Sequence, residues 1–64
     1  MPEAELWSRL SHQLGADYAA TWASNLVISA LGERTVVEAL AAGIGCKTIW
    51  REICAVLELP ESER

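Results

Sequence analysis

The apolar positions of this chain recur with helical spacing along nearly its whole length. Leu6, Leu10 and Leu14 fall four residues apart, with Trp7 beside them and Glu5, Ser8, Arg9 and His12 on the other side. This pattern predicts an amphipathic helix over about residues 2–14, with Pro2 suited to its first turn and Gly15 ending it. A second helix is expected over about residues 17–31, with Asp17 as its N-cap. Its Ala19, Trp22, Ala23, Leu26, Val27 and Ala30 form a broad apolar face, and Thr21, Asn25 and Ser29 a narrow uncharged stripe. A helix apolar over most of its circumference belongs at the centre of its domain.

The third segment opens on the clearest local signal. Thr35-Val36-Val37-Glu38 has the form of a capping box, in which each side chain satisfies the other residue's backbone N–H. The helix it starts is expected over about residues 35–42 and closes at Gly43, too short to persist without packing. The fourth helix is expected over about residues 46–57. Ile49, Trp50, Ile53, Cys54, Val56 and Leu57 form its apolar face, and Lys47, Thr48, Arg51, Ala55 and Glu58 the other. Pro60 bars continuation, so residues 60–64 should fray. The β-branched pairs Val27-Ile28 and Val36-Val37 are too short for strands and sit inside helical periods.

The expected fold class is therefore all-α. One small four-helix domain spans residues 1–64, with helix two central and helices three and four forming a helix-turn-helix-like corner. Its expected core is Leu6, Leu10, Leu14, Trp22, Leu26, Val36, Leu40, Ile49, Ile53 and Leu57.

Composition sharpens this reading. Sixty-four residues bury only about 60% of the surface their unfolded chain exposes, so the core has little to spare. An apolar content of 52%, with three Trp, argues against disorder. The net charge is −4, which opposes polyanions and anionic membranes. The basic residues are Arg9, Arg34, Lys47, Arg51 and Arg64. The longest uncharged run, Tyr18 to Gly32, is too short and too polar for a membrane span. The first residues carry neither the basic nor the apolar region of a signal peptide. Cys46 and Cys54 lie eight apart on one helix, separated by about 12 Å of rise. A disulfide needs Cα atoms within about 7 Å, so the two do not bridge. Such thiols fit a reducing compartment, and the expected location is the cytoplasm.

Candidate chemistry is sparse. His12 has no ligand or catalytic partner at useful spacing and reads as a surface residue. Cys46 starts a helix beside Lys47, a setting that favours a thiolate, but its place on the apolar face makes packing the simpler reading. No phosphate loop, activated nucleophile or acid pair is present. The expectation is no enzyme, no catalytic residues, no cofactor, no metal and no evident small-molecule substrate. A partner protein or self-association is expected instead. Trp7, at the edge of its stripe, Tyr18, and Ile28 on the polar side of helix two are the candidate protein contacts.

The alternative is a weak DNA-binding module. Ala39, Gly43, Ile44 and Ile49 have the small, turn and buried spacing of a helix-turn-helix. Lys47, Thr48 and Arg51 would then face a major groove. Glu38 and Glu52 sit where that motif usually wants apolar residues. Strong DNA binders neutralise about 6–10 phosphates, whereas Lys47 and Arg51 are flanked by Glu38, Glu52 and Glu58. The charge balance favours a plain helical corner, so nucleic acid is not the preferred partner.

The run from Leu31 to Gly43, followed by Lys47, Ile49-Trp50-Arg51 and Ile53-Cys54, resembles a family of small actinobacterial proteins of unknown function. Trp7, Tyr18-Ala19, Trp22-Ala23 and Leu59-Pro60 are also similar to its pattern. The resemblance spans nearly the whole chain. Members tend to carry Asp-Pro where this chain has Gly45-Cys46, a better cap and first-turn pair. The resemblance implies a cytoplasmic bacterial protein. It also implies a gene typically beside those of the recombinase RecA and its regulator RecX, and hence a link to recombination or repair. It brings over no catalytic residues.

Overall fold

The computed structural model describes residues 1–63. Four α-helices form the molecule: α1 Glu3–Leu14, α2 Ala16–Asn25, α3 Val36–Ala41 and α4 Cys46–Leu57. Two 3₁₀ turns, Ser29–Leu31 and Glu61–Glu63, complete it. The domain is all-α, and residues 42–45 join α3 directly to α4.

Helix α1 begins after Pro2, whose carbonyl accepts from the N–H groups of Glu5 and Leu6. A single residue, Gly15, separates α1 from α2. Its φ of 89° and ψ of 143° lie in a region that only glycine enters without strain. Gly15 also occupies the N-cap position of α2, so Asp17 is not the cap. It lies in the first turn, where its charge still suits the helix dipole.

Helix α2 stops at Asn25, well short of residue 31. Asn25 Nδ2 donates to the Thr21 carbonyl at 2.8 Å, and Ser24 Oγ donates to the Ala20 carbonyl at 2.9 Å. Such back-bonding competes with the helical ladder, and Val27, Ile28 and Ser29 are weak helix formers that do little to extend it. The chain turns extended at Leu26 and Ile28. The Ile28 N–H donates to the Arg34 carbonyl at 2.9 Å, in an isolated antiparallel bridge. A tight reversal through Ser29–Leu31, Gly32 and Glu33 joins the two, with left-handed backbone at residues 32 and 33.

The capping box at α3 forms as expected. The Glu38 N–H donates to Thr35 Oγ1 at 3.1 Å, and the Thr35 N–H donates to Glu38 Oε1 at 2.9 Å. Thr35→Ala is expected to cost about 1–2 kcal/mol, read as a lower urea midpoint, with Thr35→Ser close to wild type. Helix α3 ends in a Schellman motif. The Ile44 N–H reaches the Ala39 carbonyl at 3.0 Å, and the Gly43 N–H reaches Leu40 at 3.1 Å, across a left-handed Gly43. Ala39 is buried and Ile44 packs against the core, supplying the apolar contact that accompanies this motif. The same geometry ends α4: Glu58 is left-handed, and the Leu59 N–H donates to the Cys54 carbonyl.

The core draws on every helix. Leu6 and Leu10 from α1, Ala19 and Ala23 from α2, Val36 and Ala39 from α3, and Ile49, Trp50, Ile53 and Cys54 from α4 are buried. Small alanines bring α2 and α3 close to their neighbours. Ile28 and Leu31, from the irregular segment, join them. Leu14, Trp22, Leu40 and Leu57 are half-buried and pack around this cluster. Leu26 is not in the core: the early end of α2 leaves it 37% exposed.

The tail does not fray before residue 63. Its 3₁₀ turn lies over α1 and α4, with Gln13 Nε2 donating to Glu63 Oε2 at 3.1 Å and Trp50 Nε1 donating to the Glu63 carbonyl at 3.3 Å. Residue 64, also expected to fray, lies outside the described residues. No helix among the described residues is long and apolar enough to cross a membrane.

Candidate functional site

Two surfaces stand out, one basic and one apolar. The basic one is a groove of about 460 Å³ lined by Met1, Glu5, Arg9, Lys47, Trp50 and Arg51. Lys47 and Arg51 lie one turn apart on α4, so helical spacing puts them on one face. Arg9 comes from α1, and sequence gives no hint of this neighbour. Its Nη2 pairs with Glu5 Oε2 at 3.4 Å, and its guanidinium carbon lies 5.8 Å from the centroid of the Trp50 ring. Thr48 is exposed but does not line this groove.

The acids that argue against a cationic surface in the sequence are placed elsewhere. Glu38 is engaged in the capping box. Glu52 lines a different groove, beside Ala55 and Val56. Glu58 caps the far end of α4. Glu5 is the one carboxylate among the residues lining the basic groove.

The apolar surface arises from the end of α2. One shallow groove is lined by Tyr18, Thr21, Trp22, Asn25 and Leu26. A second is lined by residues 26–30 together with Glu52, Ala55 and Val56. Leu26 belongs to both, so the two form a continuous strip. Tyr18 is 57% exposed, Val27 52% and Val56 44%. Of these, Val27 and Val56 are assigned by helical periodicity to buried faces. Extended backbone at Leu26 and Ile28 accompanies an exposed Val27 and a buried Ile28.

The sequence-predicted contacts therefore divide. Tyr18 is exposed on the strip. Ile28 is only 4% exposed and belongs to the core, so it cannot be a surface contact. Trp7 is half-buried, its indole N–H donating to Glu3 Oε2 at 3.3 Å, and it lines neither apolar groove. A better signal for the strip is the run Val27-Ile28-Ser29 shortly after Asn25, two β-branched residues and a serine that poorly continue a helix.

His12 lines a further groove with Ser8, Arg9, Gln13, Trp50, Ser62 and Glu63. Cys46 is half-buried at the start of α4, and Cys54 is buried in the core. Among the described residues no group of three His, Cys, Asp or Glu converges in a way that suits a metal ion.

No curated protein and no solved structure matches the chain. One family model does, over residues 1–62, and it is described as a protein of unknown function, DUF3046. With 62 of 64 residues matched, the chain belongs to the DUF3046 family.

Proposed function

We propose that this domain is a protein-interaction module without catalysis of its own, docking on a partner through the strip formed by Tyr18, Trp22, Leu26, Val27 and Val56. The observation that carries the reading is the continuity of that strip across α2, the extended segment and α4. Scattered apolar residues are normal on any surface, whereas here they are joined through Leu26 into one run rimmed by polar groups. Here Thr21, Asn25, Ser29 and Glu52 supply the rim. Tyr18 and Trp22 are of the residue types that dominate interface energetics. The gene neighbourhood that the family resemblance implies would put the partner among proteins of recombination or repair.

Affinity capture with the intact chain tests this. A stoichiometric partner is expected with wild type, weakened by Tyr18→Ala and lost with Val27→Glu, each of which should remain folded by circular dichroism. At a hot-spot position the loss is about 2 kcal/mol or more in binding free energy. Sedimentation of the purified chain separates self-association from a different partner. Absence of any partner, or one held equally by the variants, overturns the reading.

A further inference from the structure

We propose that the groove between α1 and the first half of α4 binds a phosphate monoester. Arg9, Lys47 and Arg51 hold its phosphoryl group, and its organic part lies against Met1 and Trp50. This site is separate from the apolar strip and does not depend on it.

The placement of charge carries the inference. The described residues include four Lys and Arg, namely Arg9, Arg34, Lys47 and Arg51, and three of them line this one groove. Lys47 and Arg51 form a like-charged i, i+4 pair, an arrangement that is unfavourable on a bare helix surface. Among the described residues neither makes an ion pair. An anion between them converts that repulsion into attraction.

Arg9 supplies orientation. Its contacts with Glu5 and the Trp50 ring bias the guanidinium toward the groove. A guanidinium fork matches two phosphoryl oxygens at once. Glu5 offsets one of the three cations, so the groove keeps a net positive charge within an acidic protein.

Size and charge select the class of ligand. A volume of about 460 Å³ falls within the usual small-ligand range of about 300–1,000 Å³. Three cations suit one phosphoryl group of charge about −1.5 to −2. They fall short of the roughly 6–10 phosphates that a strong duplex binder neutralises. The net charge of −4 further opposes a long polyanion. The apolar lining, Met1 with the largely buried Trp50, favours a phosphate carried on an organic body over the free ion.

Proton–nitrogen NMR titration of the intact protein tests this with three probes: phenyl phosphate, inorganic phosphate and a short DNA duplex. Phenyl phosphate is expected to saturate, shifting the Arg9 side-chain N–H and the amides of residues 47–51. Inorganic phosphate should bind more weakly. The Lys47→Ala/Arg51→Ala double variant should weaken phenyl phosphate by at least about tenfold, the loss expected for removing charge-assisted hydrogen bonds. Arg9→Gln should weaken it with the fold retained, while Val27→Glu should leave it unchanged. Shifts that never saturate, or that survive the double variant, overturn the site. Equal binding of inorganic phosphate overturns the monoester assignment. A duplex that binds more tightly, with a steep salt dependence, overturns it in favour of DNA.

Discussion

Ile53→Ala is expected to remove most of the stability of this domain. Ile53 is fully buried in α4. It belongs to the same core cluster as Leu6 and Leu10 of α1, Ile49 of its own helix and Leu31 of the irregular segment. Truncating a buried isoleucine to alanine costs about 2–5 kcal/mol, and the upper half of that range applies where neighbours cannot collapse into the space. The cluster around Ile53 draws on α1, α4 and the irregular segment, so little collapse is available. A core of this size supplies only about 3–5 kcal/mol in total. Ile53→Val, which removes a single methylene, should cost about 1 kcal/mol. Thermal melts followed by circular dichroism measure both. For so small a domain each kcal/mol moves the midpoint by roughly 4–8 °C, so an Ile53→Ala melt near that of wild type would refute this core.

The second large effect is a contrast between close neighbours. Ile28→Ala is expected to cost about 2–4 kcal/mol, and Leu26→Ala less than about 1 kcal/mol. Both side chains are large and aliphatic, and they lie two residues apart. A helix through residue 31 would place Leu26 in the core and Ile28 on the polar side, reversing the order. The extended segment buries Ile28 and leaves Leu26 on the surface strip. Urea denaturation of the two variants decides between the arrangements. Equal losses, or a larger loss for Leu26→Ala, would restore the continuous helix. Leu26→Ala also bears on function, since its small stability cost would leave any effect on partner binding easy to read.

The parts of the fold that were legible share a physical character: each is decided within a few residues. The capping box needs only Thr35 and Glu38. The stop at Gly43 needs one residue free to turn left-handed. The stripe of Leu6 and Leu10 needs only the helical repeat. The end of α2 is different. Periodicity continues through Leu26 and Leu31, but Asn25 and Ser24 bond back to their own helix while Val27, Ile28 and Ser29 favour other conformations. The bridge from Ile28 to Arg34 then holds the alternative. Its partner lies beyond the tight reversal at residues 29–33, out of reach of a helical pattern. The tail shows the same effect. Nothing near Glu61–Glu63 announces a docked turn, because its bonds go to Gln13 and Trp50.

The candidate sites divide on the same line. Lys47 and Arg51 were visible as a pair because one turn of helix separates them. Their third member, Arg9, lies 38 positions before Lys47, and only the packing of α1 beside α4 brings it into the groove. The acids that seemed to cancel the pair are sent elsewhere by capping and by the pitch of α4, which turns Glu52 toward Val56.

The sequence by itself determined the all-helical class, the starts and stops of α1, α3 and α4, the buried aliphatics Leu6, Leu10, Val36, Ile49 and Ile53, and membership of a family without an assigned function. These follow from local hydrogen bonding and from periodic burial, which act over one or two turns. The tertiary structure alone decided that α2 ends early, that Ile28 lies inside and Leu26 and Val27 outside, and that three cations share one groove. Those features depend on which distant segments pack together, and packing distances are not written in residue spacing.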